Sequence, residues 1–230
     1  MRIVLLFLVF FSTLLLQSCA LVNSALGGNS TKEARAVTSW PFEKDAILVD
    51  LVMDHDLNLF NDQAHTLVLG LYQTAEEASF QKILTSTELI SNTLTLGTNS
   101  EGILQLDRYA LNPGKRIILK INRVQGTKYV GVIAGYYNQE TATSTRIFRI
   151  PINMESEGLI TKSYTALPAV LAFRLFLGKS GIVNSQSLTY DAEKKAVVEL
   201  LPIKSPPQKM LITPGELKQT LEFNAAATKL

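Results

Sequence analysis

The sequence predicts a mainly β protein whose central domain, residues 41–152, is an antiparallel β-sandwich. Two observations predict this class. Short runs of residues alternate between apolar and polar side chains, which is typical of strands with at least one buried face. Turn motifs containing glycine and proline separate several of these runs by only a few residues. The chain is also long enough to bury one sizeable core.

Alternation with a period of two identifies the strand segments. The alternating apolar positions are Ile47, Val49, Leu51 and Met53; Leu67, Leu69 and Leu71; Ile117, Leu119 and Ile121; Val130, Val132, Ala134 and Tyr136; and Phe148, Ile150 and Ile152. Each run is short and bounded by turn residues, as expected for strands rather than helices.

One short helix interrupts the strand pattern. Thr74 and Glu77 have the spacing of a capping box, in which a hydroxyl and a carboxylate satisfy the first free N–H groups of a helix. Phe80, Ile83 and Leu84 then fall on one helical face. This pattern predicts a crossover helix on or beside the sandwich.

Two turn motifs lie between later strands. Asn112-Pro113-Gly114 and Gln125-Gly126-Thr127 contain the residues that favour tight turns. Because each motif separates two strand runs by only a few residues, we predict chain reversals between sequential neighbours.

The C-terminal region, residues 153–230, is predicted to be an extension of uncertain structure. Residues 169–177 and 195–201 are apolar enough to form strands or a hairpin, and Glu216 to Phe223 could form a short helix. Prolines interrupt the later part of this region. We therefore predict that a chain ending near Asn153 still folds as a sandwich.

Residues 1–18 are predicted to be a lipoprotein signal peptide. The apolar run from Ile3 to Leu16 follows Arg2 and is shorter than the about 20 residues that a membrane-spanning helix needs. Leu16-Gln17-Ser18-Cys19 resembles the bacterial lipobox. The Cys19 thiol would carry a diacylglycerol group, and its amine, freed by cleavage, a further acyl chain.

Two other interpretations of Cys19 remain. The first is a secretory signal followed by an incidental free thiol, which would be unusual in an oxidising compartment. The second is an uncleaved membrane anchor. If Cys19 is lipidated, residues 19–40 are predicted to form a flexible tether. In the enterobacterial sorting rule, Asp directly after the acylated Cys retains the protein at the inner membrane. Residue 20 is Ala, so we predict that the protein goes to the outer membrane.

Charge and composition give little support to nucleic-acid binding or to catalysis. Lys and Arg number 22 against 20 Asp and Glu, so the chain is close to neutral and we expect no nucleic-acid partner. The chain has no nucleophile-elbow motif and only two histidines, His55 and His65. We therefore expect no enzyme, no catalytic residues and no cofactor other than the covalent lipid on Cys19.

A metal site is the alternative function for the histidine-containing segment. Asp54, Asp56 and Asn58 have the spacing that begins a calcium-binding loop, but Leu59 replaces the required glycine. The two histidines lack the tight spacing of known zinc sites. A solvated loop is the simpler interpretation, and no metal is expected.

Several motifs, in this order and behind a lipobox, resemble the TssJ family, the outer-membrane lipoproteins of the type VI secretion membrane complex. The motifs are Trp40-Pro41-Phe42, Asp56-Leu57-Asn58, Leu71-Tyr72-Gln73-Thr74, Phe80, Asn112-Pro113-Gly114, and residues 129–137. The resemblance covers about residues 1–152. Thr74 departs from the family pattern, which usually has Leu there, and residues after Asn153 lie outside it.

The resemblance implies a transthyretin-like β-sandwich without catalytic activity, at the periplasmic face of the outer membrane. It also implies that the loop after the first strand binds the periplasmic C-terminal part of TssM, an inner-membrane protein. The partner-binding residues would then be His55, Asp56, Leu57, Asn58, Leu59, Phe60 and Asn61.

Within this loop, Leu57, Leu59 and Phe60 stand among polar residues, and no motif is tight enough for a simple hairpin. Apolar residues in a polar connecting loop are candidates to anchor a partner. If Leu57 or Phe60 is the central anchor, its truncation should weaken binding by about 2 kcal/mol or more and change stability far less. The alternative is that they fold back as a lid on the end of the sandwich.

A second function, from a different class, is a periplasmic lipoprotein that binds a small ligand or polysaccharide. Tyr129, Tyr136 and Tyr137 could begin the aromatic pocket that this function requires. They could equally pack across strands on a sheet face.

Overall fold

The computed structural model describes residues 23–24, 26–97, 100–159 and 161–189. They divide into a sandwich unit, residues 40–151 and 169–189, and a smaller unit, residues 23–39 and 152–168. Among the described residues, no helix has the length and apolar character needed to cross a membrane. Several predicted features lie outside the described residues: the signal peptide, Cys19, the apolar run 195–201 and the helix Glu216 to Phe223.

The elements follow one another along the chain as mostly short strands. The strands are β1 Glu43–Met53, β2 Leu67–Thr74, β3 Ile103–Leu111, β4 Arg116–Arg123, β5 Tyr129–Gly135, β6 Thr145–Arg149, β7 Ile152–Glu157, β8 Ser163–Pro168, β9 Leu171–Leu177 and β10 Ile182–Ser187. The helices are α1 Thr31–Ala36, α2 Glu77–Leu84, α3 Thr87–Leu96 and α4 Thr141–Ser144.

Two four-stranded sheets form the sandwich, which confirms the predicted fold class. The first sheet has the order β10-β9-β1-β4 and the second the order β3-β2-β5-β6. Neighbouring strands in these sheets are antiparallel with one exception, since β1 and β9 run parallel. A parallel pair needs a long connection, and nearly the whole sandwich lies between β1 and β9 along the chain.

The predicted alternation places one set of side chains between the sheets. Ile47, Val49, Leu51 and Met53 of β1 meet the inward side chains of β2 in one hydrophobic core. Phe148 of β6 stacks on Phe173 of β9 with ring centroids 4.0 Å apart. Residues 46–53 are buried throughout, as expected for a central strand covered on both faces.

The core shows that the predicted end of the sandwich at residue 152 is too early. Strand β9 lies between β10 and β1 in the first sheet. Four of its side chains are buried in the sandwich core: Leu171, Phe173, Leu175 and Leu177. The apolar run 169–177 indicated a strand or part of a hairpin. Its pairing with β1 could not be predicted from the local pattern, because the two strands are distant in sequence.

Two helices, rather than one, cover the second sheet. Phe80 and Ile83 of α2, with Ile90 and Leu94 of α3, form a second cluster with Tyr72 of β2. The predicted capping by Thr74 is wrong, because Thr74 ends β2 and the N-cap of α2 is Glu76, which makes no side-chain capping bond.

The two predicted turns do not form hairpins. Asn112-Pro113-Gly114 joins β3 of the second sheet to β4 of the first, and Gln125-Gly126-Thr127 returns the chain from β4 to β5 of the second. The flanking strands therefore reverse direction across the sandwich without pairing with each other. The turn residues indicated where the chain changes direction but not which sheet the next strand joins.

Gln73 fixes the second of these crossings. Its Nε2 donates to the Asn122 carbonyl at 2.9 Å, and its Oε1 accepts bonds from the Val124 amide at 3.0 Å and the Thr127 hydroxyl at 2.9 Å. Gln73 is fully buried, so these bonds replace those that water would otherwise supply.

We expect Gln73→Ala to lower the free energy of unfolding by about 1–3 kcal/mol, because it leaves buried partners unsatisfied. Urea denaturation measures the change. Gln186→Ala on β10 is the matched control, since Gln186 is exposed. Equal stability of Gln73→Ala and Gln186→Ala would mean that the buried amide contributes nothing.

The smaller unit contains α1 and the two-stranded β7–β8 ribbon. Helix α1 begins with a complete capping box, in which the Ser30 hydroxyl accepts a bond from the Glu33 amide and the Glu33 carboxylate accepts one from the Ser30 amide. Predicting a flexible tether over the whole of residues 19–40 was therefore wrong for α1. The signal that identifies this helix is the Ser30-to-Glu33 spacing.

Candidate binding surface on the loop between β1 and β2

The loop of residues 54–66 connects the two sheets and is held firmly at its base. The Asp54 amide donates to the Leu177 carbonyl at 2.9 Å, and the Asp54 carbonyl accepts a bond of 2.9 Å from the Gly114 amide. Further along, the Leu59 amide donates to the Lys179 carbonyl at 2.9 Å. These bonds connect the loop to the chain after β9 and to the turn before β4.

Two of the predicted partner-binding residues are buried and position the loop. Leu57 is fully buried in the sandwich core. Asn58, also buried, donates from Nδ2 to the Thr66 carbonyl at 3.1 Å and accepts a bond of 2.9 Å from the Tyr137 amide. The prediction that Leu57 contacts a partner directly and matters little for stability is therefore wrong. It packs in the core, as the lid interpretation required.

The tip of the loop is a tight two-residue turn. The amide and carbonyl of Phe60 bond reciprocally with those of Gln63, at 2.9 and 3.1 Å. Asn61 and Asp62 between them have φ values of 49° and 59°. This is the left-handed geometry of a type I′ turn, which Asn and Asp tolerate better than most residues. The prediction that no tight hairpin exists here was wrong.

An exposed aromatic cluster, which we define as Phe60, His65 and Tyr137, stands on this turn. Phe60 stacks on Tyr137 with ring centroids 4.6 Å apart, and His65 meets Tyr137 edge-on at 5.1 Å. Phe60 is 42% exposed and Tyr137 55% exposed, whereas His65 is half-buried. The cluster is thus an accessible apolar surface whose rings hold one another in place.

The other predicted partner-binding residues differ in exposure. His55, Asp56 and Asn61 are exposed, and Leu59 is half-buried. His55 lies against Gly114, where a Cβ would stand 2.7 Å from its Nδ1. The predicted segment therefore divides into a buried base and an exposed rim with Phe60 at its tip.

The acidic and histidine side chains of this loop do not gather around one point. Within the described residues, no three His, Cys, Asp or Glu side chains stand close enough to hold a metal ion together.

A cavity of about 850 Å³ lies over the second sheet, beside α3. Tyr136 is among its lining residues, but Tyr129 and Tyr137 are not, so the three tyrosines do not build one pocket. Arg108, the cation in its wall, donates to the Leu94 and Thr95 carbonyls at 3.0 and 2.8 Å and so caps the end of α3. The guanidinium group in the cavity wall is therefore already used by the fold. The other charged side chain in the wall, Asp107, accepts bonds of 3.0 and 2.8 Å from the Gln105 amide group.

A buried charge cluster on the outer face of the first sheet is also structural. Asp50 accepts bonds of 2.8 and 2.6 Å from Arg116 and one of 2.5 Å from Arg174. Asp50 is fully buried. The two guanidinium groups supply the pairing that a buried carboxylate requires.

A family model for type VI secretion lipoproteins, described by the names VasD, EvfM and TssJ, matches residues 45–166. This match spans more than half of the chain. The chain belongs to the TssJ family. It is thus a lipoprotein of type VI secretion, and the resemblance seen in its motifs is confirmed.

The solved structures that match the chain include two proteins of type VI secretion systems. The type VI lipoprotein TssJ1 of Pseudomonas aeruginosa is 19% identical, with 64% of this chain and 96% of that chain covered and a TM-score of 0.42. The Lip protein of Serratia marcescens, a membrane-bound component of the system, is 18% identical, with coverage of 61% and 95% and a TM-score of 0.42.

A third similar structure is the C-terminal domain of TssM from EAEC. It is 15% identical, with 63% of this chain and 98% of that chain covered and a TM-score of 0.40. No curated protein matches the chain.

The TssJ motifs have clear roles in this structure, and most of them stabilise the sandwich. The Tyr72 hydroxyl bonds the Thr93 hydroxyl of α3 at 2.7 Å, and burial raises the pKa of Tyr72 to about 12. Gly131 lies against Phe80, where any Cβ would come within 2.3 Å of the ring. Trp40 accepts a bond of 2.8 Å at its carbonyl from the Gly126 amide.

Proposed function

We propose that this TssJ-family protein anchors a type VI secretion complex to the outer membrane and binds the periplasmic C-terminal part of a TssM-like inner-membrane protein. The observation that carries the proposal is the loop between β1 and β2, whose buried base fixes an exposed aromatic cluster in place. In this account the protein is a scaffold without catalytic activity.

The geometry of the loop suits protein recognition. Aromatic side chains are enriched among the residues that dominate binding energy. Because the Asn58 bonds and the Phe60–Gln63 turn already order the loop, binding requires little further loss of conformational freedom. The exposed polar residues His55, Asp56 and Asn61 would form the rim around Phe60.

The membrane attachment rests on Cys19, the single cysteine of the chain. Its proposed acyl chains each contribute about 0.8 kcal/mol per buried CH₂, so several chains together hold the protein stably on a bilayer. With Ala20 after Cys19, we propose the outer membrane as the destination.

The experiment separates the two attachments. Full-length chain and a Cys19→Ser variant are expressed with the TssM-like protein, labelled with a palmitate analogue, and isolated from fractionated envelopes. We expect the wild-type chain to carry label, to float with the outer membrane and to co-purify with the TssM-like protein. The Cys19→Ser variant should carry no label and should be absent from the outer-membrane fraction.

Equal labelling of the wild-type chain and the Cys19→Ser variant would refute lipidation at Cys19. A wild-type chain that never co-purifies with the TssM-like protein would refute the scaffold function.

A further inference from the structure

Two asparagines attach the start of the described chain to the edge of strand β8. Asn23 donates from Nδ2 to the Lys162 carbonyl at 2.9 Å and accepts a bond of 2.7 Å from the Lys162 amide. Asn29 makes the same pair of bonds with Tyr164, which follows Lys162 by two residues. Its Nδ2 donates to the Tyr164 carbonyl at 2.9 Å, and its Oδ1 accepts a bond of 2.5 Å from the Tyr164 amide. Each side-chain amide thus pairs with backbone as a neighbouring strand would.

This pairing shortens the distance between the lipid and the ribbon. Only three residues of chain lie between Cys19 and Asn23, and the four residue-to-residue steps reach at most about 14 Å when fully extended. If Cys19 is acylated, as proposed above, Lys162 and the adjoining ribbon turn must lie close to the bilayer surface.

Leucine side chains are exposed on this part of the smaller unit. Leu159, in the turn between β7 and β8, is fully exposed. Leu26, in the turn that follows Asn23, is 58% exposed. Lys162, between the ribbon turn and β8, is also exposed.

We propose that the exposed Leu159, between β7 and β8, is a second membrane contact that enters the interfacial region of the phospholipid bilayer beside the lipid anchor. The inference rests on the proposed acylation of Cys19. Transfer of an exposed leucine from water into an apolar environment is favourable, and the exposed Lys162 ammonium can pair with phosphate headgroups.

A contact made by so few residues would be weak for a protein free in solution. The acyl chains convert it into an intramolecular step, because they hold the turn at high effective concentration near the surface. The asparagine pairing then determines which turn faces the lipid. The ribbon therefore orients the lipid-proximal part of the chain on the membrane.

The test measures the depth of residue 159 in the full-length acylated protein. Because Cys19 is the only cysteine and its thiol is consumed by the lipid, Leu159→Cys introduces a unique free thiol. This thiol is labelled with an environment-sensitive fluorophore, and the protein is incorporated into vesicles of phosphatidylethanolamine and phosphatidylglycerol. Leu167→Cys is the matched control, since Leu167 is exposed on the same ribbon, toward the other end of β8.

We expect the label at residue 159 to shift its emission to shorter wavelength and to be quenched by nitroxide-bearing lipids, and the label at residue 167 to do neither. Adding Asn23→Ala and Asn29→Ala to Leu159→Cys should reduce its quenching to the control level. Protein that floats with the vesicles while residue 159 is no more quenched than residue 167 would overturn the membrane contact alone. Persistent quenching without the asparagines would overturn their role in placing the turn. Protein that fails to float would overturn the acylation and the contact together.

Discussion

A chain that ends at Asn153 should show no cooperative thermal transition, contrary to the prediction from the sequence alone that it folds as a sandwich. It lacks β9, the strand between β10 and β1 in the first sheet. The four buried β9 side chains, Leu171, Phe173, Leu175 and Leu177, each stabilise the fold by about 1.5–3 kcal/mol through burial. Their combined loss is comparable with the whole stability of a typical domain, about 5–15 kcal/mol.

Differential scanning calorimetry of the shortened and full-length chains measures this effect. The full-length chain should unfold in one or more cooperative transitions, and the shortened chain should melt gradually. A shortened chain with a sharp transition near the temperature of the full-length protein would show that the sandwich is complete without β9 and β10.

Leu57→Ala should destabilise the protein strongly, whereas Phe60→Ala should not. Leu57 is buried in the core, and truncation of a buried leucine costs about 2–5 kcal/mol. Phe60 is exposed and would lose chiefly its stacking on Tyr137, a contact of about 0.5–1.5 kcal/mol.

Urea denaturation with a common slope for all variants gives both values. The two residues lie three positions apart in one loop, so each serves as the control for the other. A larger loss for Phe60→Ala than for Leu57→Ala would reverse the assignment of buried base and exposed tip.

The sequence predicted the sandwich well because its inward positions alternate with a period of two. Ile47, Val49 and Leu51 illustrate this, since their spacing alone places them on one face of a buried strand. The pairing of β9 with β1 could not be predicted in this way. Both are apolar strands, and nothing local specifies that two segments so distant in sequence lie side by side in parallel register.

The helices show where local signals compete. Thr74 has the spacing of a helix cap relative to Glu77. Its backbone instead pairs with Tyr129 of β5, and Thr74 is the last residue of β2. Helix α3 was missed because its sequence, rich in Thr, Ser and Asn, has weak helix propensity. The helix forms because its own Ile90 and Leu94 pack in one hydrophobic cluster with Tyr72 of β2.

For the binding loop, the sequence indicated the segment but not its internal division. Leu57 and Phe60 are both apolar residues among polar ones, and only the fold shows that one is buried and the other exposed. Tyr137, which completes the exposed aromatic cluster, is distant from the loop in sequence. The Asn61-Asp62 pair was the available signal for the tight turn, because both residues tolerate positive φ.

The most direct test of the central claim is calorimetric titration of the protein with the periplasmic domain of a TssM-like partner. Phe60→Ala is compared with Leu104→Ala, since Leu104 is an apolar residue of β3 with 43% exposure, close to the 42% of Phe60. We predict that Phe60→Ala weakens binding by about 2 kcal/mol or more, roughly 30-fold in Kd, and that Leu104→Ala binds as the wild type does. Wild-type affinity of Phe60→Ala for the partner domain would contradict the proposal that the exposed aromatic cluster is the docking surface.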